Sequence, residues 1–90
     1  SRWFGAKYIG FFDNDKKYIL SGRLDIHYFQ RYFNIEINKS HFETLGGFIM
    51  SLTGEIPVKG EHVKFKEYEF VIEETGLRMI DKVLLILPKK

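Results

Sequence analysis

A glycine doublet at the head of an apolar run, Thr44-Leu45-Gly46-Gly47, is the first place where this chain offers chemistry. Free N–H groups at a helix start, backed by the helix dipole, favour anions, so a segment of this kind can cradle a phosphate. Its spacing is neither Gly-x-x-x-x-Gly-Lys-Ser/Thr nor Gly-x-Gly-x-x-Gly, and no clear strand precedes it. A small-ligand site here, for a nucleotide or another anion, is therefore the alternative reading. The main reading is architectural: glycines let a second backbone come close to the helix.

The remaining polar residues converge less. His27, His41 and His62 include no pair four residues apart on a helix, so no metal site is expected and all three read as solvated. Asp13-Asn14-Asp15 begins like a calcium loop, but Tyr18 and Leu24 stand where the loop needs Gly and Glu, so a turn is expected. Glu73 and Glu74 are neighbours on an expected strand and point to opposite faces, which denies them a shared atom to act on. No Ser or Thr has a His and a carboxylate placed by a nucleophile motif. The residues thus predict no catalytic group, no cofactor and no enzyme. What is left is aromatic: Trp3, Phe4, Tyr28 and Tyr32 are candidates for a partner-binding surface. Aromatics with arginine can also stack on nucleic acid, but a net charge of +2 argues against that partner.

These residues need elements to hold them. Lys17–Ser21 reads as a short strand closed by Gly22. A helix follows over 24–33, with Asp25 suited to the N-cap, Leu24 and Phe29 to a hydrophobic staple, and Asn34 to the stop. Ile26, Phe29 and Phe33 share one face. Ser40 and Glu43 match a capping box for a second helix, whose stripe is Leu45, Phe48, Ile49 and Leu52. Gly54 ends that helix, and the chain passes through Pro57 to a turn at Gly60. The period then changes to two. Strands are expected at 62–65, 68–73 and within 77–87, with Lys66-Glu67 as a tight connection. Val83 to Leu87 is apolar throughout, which predicts a central strand covered on both faces. The order gives an α+β fold: strand, two helices, then a three-stranded antiparallel meander, with the helices on one side of a small curved sheet.

Ninety residues make one domain, near the lower limit of independent stability. Nine Phe, five Tyr and one Trp offset the small size with apolar area. There is no cysteine, so neither a disulfide nor a thiolate metal site holds the fold. No apolar run approaches the roughly 20 residues of a membrane span, so direct membrane insertion is not expected. The opening Ser suggests a piece of a longer protein. Residues 1–31 carry six basic and three acidic side chains and 55–74 three basic and six acidic, a mild dipolar surface. Residues 1–16 have no steady period; they read as an extension or linker from an upstream domain, or as an irregular strand docked on the body.

Gly22-Arg23-Leu24, the short helix after it, Phe42 through Ile49, Gly54 through Glu61 and the closing three-strand segment together resemble the transporter-associated domain of the CorC/HlyC family. The likeness spans roughly residues 17–87, and the domain is assigned to 17–90. Its positions are Thr44, Leu45, Gly46, Gly47, Gly54, Pro57 and Gly60, all structural rather than catalytic. The resemblance implies a fold likened to part of a flavin-enzyme FAD-binding domain, without an FAD site. It also implies a place at the C-terminus of a haemolysin-like or magnesium and cobalt efflux protein, on the cytoplasmic side of the cell membrane. The implied partners are upstream CBS and transmembrane domains of the same chain, or a second copy in a homodimer. The implied role is regulation of ion transport, with no activity of its own. Lys66-Glu67 stands where the family often has an Asp-Gly-like turn, which implies a bulge in that hairpin.

Overall fold

Alternating burial along the strands sorts the chain into one sheet with two helices against it. The computed structural model describes residues 9–12, 16–38 and 42–89, the first stretch by its backbone alone. Among these are strands β1 (Ile9–Phe12), β2 (Lys17–Ser21), β3 (His62–Phe65), β4 (Tyr68–Thr75) and β5 (Ile80–Ile86), and helices α1 (Ile26–Phe33) and α2 (Leu45–Thr53). Trp3, Phe4, the expected turn at Asp13-Asn14-Asp15, and Ser40 and His41 lie outside the described residues. The sheet order is β1-β2-β5-β4-β3, every neighbour antiparallel. The expected meander is β3-β4-β5, and β2 joins the other side of β5, which puts the most apolar strand in the middle. The α+β class is as read, with a fifth strand added inside the segment read as an extension: β1 pairs with β2, Ile9 opposite Leu20 and Phe12 opposite Lys17.

Registers define the two faces. Tyr18, Leu20, Val63, Phe70, Ile72, Val83 and Leu85 are buried on the face that receives the helices. Phe29 of α1 packs on Phe70 with ring centroids 6.1 Å apart, and Phe48 of α2 on Phe65 at 4.9 Å. Each such side chain, fully buried, contributes about 1.5–3 kcal/mol. The opposite face carries Ile19, Val71, Leu84 and Ile86, which are only half-buried. The expectation that β5 is covered on both faces is therefore corrected. Two short helices cover one side of a five-stranded sheet, and both contribute to a single core.

Both helices start where a side chain supplies the missing acceptor. Asp25 Oδ1 accepts from the N–H groups of His27 at 2.8 Å and Tyr28 at 3.0 Å, while Leu24 and Phe29 on either side are fully buried. Asn34 ends α1 in the left-handed region, φ 56°, and donates to the Gln30 carbonyl. The cap of α2 is Thr44, not Ser40: its Oγ1 accepts from Gly47 N–H at 3.1 Å, so the helix starts beyond the expected capping box. Leu52 is a second correction. It continues the stripe of Leu45, Phe48 and Ile49, yet 39% of it is exposed. It sits in the last turn of α2 and lines an open groove with Phe42, Phe48 and Phe65.

The β3–β4 hairpin closes through Lys66-Glu67 with Phe65 directly opposite Tyr68, so no bulge occurs at that turn. Lys66 takes the positive φ, 56°, that favours glycine in such loops. The irregularity lies instead between β4 and β5, at Ile72 to Thr75.

Candidate functional site

The two helix caps are joined to each other. Asp25 and Thr44 form an antiparallel bridge. Ile26 N–H donates to the Glu43 carbonyl at 2.9 Å, and Leu45 N–H to the Leu24 carbonyl at 2.8 Å. Gly46 N–H reaches the Gly22 carbonyl at 2.8 Å, and Phe48 N–H the Thr44 carbonyl at 2.9 Å. Adding the Thr44 hydroxyl on Gly47, all four N–H groups of the first turn of α2 have protein acceptors. An anion at Gly46-Gly47 would have to displace those bonds, because a helix N-terminus binds phosphate through amides that are otherwise orphaned. The arrangement can lock two helices and a strand end together; it has no donor aimed at a ligand.

The glycines differ in what they admit. A Cβ on Gly22 would fall 1.8 Å from the Ile80 carbonyl oxygen, inside the backbone of β5. One on Gly46 would meet the Gly22 carbonyl oxygen at 3.0 Å and that of Ile80 at 3.3 Å. One on Gly47 would meet only the Phe42 Cβ at 3.1 Å and the Thr44 hydroxyl at 3.3 Å. The close approach to the sheet thus belongs to Gly46 and to Gly22. The sequence marked Gly22 as the end of a strand and as the first residue of the family-like string Gly22-Arg23-Leu24, not as a contact with β5. Leu45 is fully buried and Pro57 is buried. Gly54 caps α2 at φ 84°. Gly60, at φ 90°, allows the turn in which Glu61 N–H donates to the Val58 carbonyl at 3.0 Å.

The aromatic candidates that fall in the described residues meet. Tyr28 and Tyr32 stack at 5.9 Å, Tyr32 36% exposed, and Phe33 and Tyr18 lie edge-on beneath Tyr32. His27 is exposed, and His62 Nδ1 lies 2.6 Å from Glu69 Oε2 on the surface. Glu74 pairs with Lys82 at 3.2 Å. Among the described residues no three His, Asp or Glu side chains are placed to hold a metal, and no helix is long and apolar enough to cross a membrane. A groove of about 280 Å³ between α2, residues 36–38, Phe42 and the β3–β4 hairpin was not foreseen. Phe42, Phe48, Leu52 and Phe65 line it, and Lys66 closes one end by donating to the Glu36 carbonyl at 2.8 Å.

Comparison with known proteins places this architecture. A family model described as transporter associated domain, CorC_HlyC, matches residues 13–89. The magnesium and cobalt efflux protein CorC of Buchnera aphidicola is 30% identical over 77 residues, covering 86% of this chain and 27% of that protein. The chain thus spans about a quarter of that relative. Among solved structures, a CorC_HlyC domain from Haemophilus ducreyi shares 28% identity with a TM-score of 0.72, covering 82% of this chain and 90% of the other. The transporter associated domain of a Xylella fastidiosa hemolysin, solved with Mg++ and Mn++, shares the fold at 22% identity and a TM-score of 0.76, covering 90% and 98%. With the family model matched over residues 13–89, this chain belongs to the CorC_HlyC transporter associated domain family.

Proposed function

We propose that this chain is a regulatory, non-enzymatic domain of a membrane ion transporter, and that it acts by contact. It would bind the CBS pair or the transmembrane domain of its own protein, or a second copy, and bias the transporter between conformations through its different fit to each. Magnesium or cobalt would be the cargo moved by the whole protein, from the cytoplasmic side where this domain sits. The carrying observation is the family match over residues 13–89, joined to an efflux-protein relative nearly four times as long as the matched segment. The site geometry is in keeping with it, since its polar groups are turned inward to hold helices rather than outward to a substrate. Residues 17–90 would be the domain, and the lead-in of 1–16 would enter from upstream and lend β1 to the sheet edge.

Deletion of the domain from the full-length protein tests this reading. Changed ion flux or changed assembly is expected; unchanged flux with unchanged assembly would refute it. Thermal shift against nucleotides and flavins checks the ligand-binding alternative. A ligand at 100 times its dissociation constant would stabilise the fold by about 2.7 kcal/mol. No shift is expected, because the first-turn amides of α2 already have acceptors.

A further inference from the structure

Among the described residues, Asn34 and Lys66 are the two other than glycine that take a positive φ, both at 56°. Asn34 is a common helix stop in that conformation, and it ends α1. Lys66 has no such role. It holds the first position of the two-residue turn between β3 and β4, where glycine is the ordinary choice and a Cβ makes the conformation costly. Strain of this kind persists where the surroundings over-determine it. At Lys66 the side chain supplies the surroundings: its amine donates to the Glu36 carbonyl at 2.8 Å and lies 5.3 Å from the centre of the Phe65 ring.

Glu36 begins a short stretch with few holds on the body. Ile35 before it is buried, and its N–H donates to the Gln30 carbonyl at 3.0 Å. Beyond that anchor, Glu36, Ile37 and Asn38 form one wall of the aromatic groove. Two bonds retain the wall: Lys66 on the Glu36 carbonyl, and Gln30 Oε1, which accepts from Ile37 N–H at 3.1 Å. Each depends on a side chain from another element. Glu36 and Asn38 are exposed and Ile37 is half-buried.

We propose that residues 36–38 are a strap latched by Lys66, and that release of the latch opens the groove while the rest of the fold stays intact. Opening breaks the bond of the Lys66 amine to Glu36, the bond of Ile37 to Gln30 and the packing of Ile37. The β3–β4 ladder, the α2 cap and the buried Ile35 keep their bonds, so the strap is a local unit at the low-stability end of the molecule. The latch also accounts for a lysine in this turn. Glycine would fit the backbone and leave the strap unheld. The strap is measured on this chain alone, so its failure leaves the contact reading above standing.

Native-state hydrogen exchange of the 90-residue chain in low urea tests the proposal. The Ile37 amide reports the strap, and the amides of β5 report global unfolding. In the wild type, Ile37 should exchange at a rate nearly independent of urea, while β5 exchange should rise with it. Lys66→Gly should speed Ile37 exchange about fivefold and leave β5 exchange no faster than wild type, since the turn loses its strain as the strap loses its latch. Lys66→Asn, which tolerates the same φ and is too short to reach Glu36, should speed Ile37 equally. Lys66→Arg, which keeps both length and charge, should stay within about twofold of wild type. Unchanged Ile37 exchange in the Gly and Asn variants would overturn the latch. Equal acceleration of Ile37 and β5 would make Lys66 an ordinary contributor to global stability and overturn it as well. A wild-type Ile37 amide with the urea dependence of β5 would show that no local unit exists.

Discussion

Strand β5 carries the same kind of residue on both faces and meets two different environments. Val83 and Leu85 are fully buried under the helices, while Leu84 and Ile86, their immediate neighbours, are half-buried on the open side. Burial on one face follows from two helices pulled down by glycines at the cap junction. On the other face nothing among the described residues fills that role. An apolar strand therefore reports its central position in the sheet but not what covers it.

The sharpest way to break this contrast is at the junction. Gly22→Ala drives a Cβ into the Ile80 carbonyl and should cost about 4 kcal/mol or more in urea unfolding. A near-wild-type midpoint would show that the junction is slack. Next, Phe70→Ala on the covered face should cost about 3–5 kcal/mol. Leu84→Ala on the half-buried face should cost about 1 kcal/mol. Equal losses would erase the distinction between faces. Gly46→Ala should cost about 1–3 kcal/mol because its new methyl meets two carbonyl oxygens. Gly47→Ala should stay within about 1 kcal/mol of wild type, since helix propensity gains what a yielding Phe42 loses. If Gly47 proved the more sensitive, the roles assigned to the two glycines would be reversed. Leu52→Ala should likewise cost only about 1 kcal/mol, well short of a core leucine, given its exposure in the groove.

Much of the fold was legible. Asp25, Asn34 and Gly54 act within one helical turn of their own position, so their residue types suffice to place helix ends. Alternation along β3 and β4 likewise marked strands and an inward face. The Ser40 and Glu43 box misled because Thr44 offers an equally good cap, and what decided between them was the bridge to Asp25, a contact nineteen residues away. The groove was not legible for the same reason: Phe42, Phe48 and Phe65 come from three separate segments. Lys66 broke a local preference, and its amine holds Glu36, thirty residues back along the chain.

By itself the sequence determined the local grammar: where helices start and stop, which stretches alternate, and which ordered glycines and proline mark the family. Those features depend on residues within about four positions of each other, where backbone sterics and side-chain hydrogen bonds act without help. Only the tertiary structure decided that Gly22 and Gly46 touch backbone while Gly47 does not, that Leu52 is left exposed in a groove, and that β5 is fully buried on one face and half-buried on the other. Each of those depends on register and on helix position between segments far apart in the chain, which no spacing along the chain specifies.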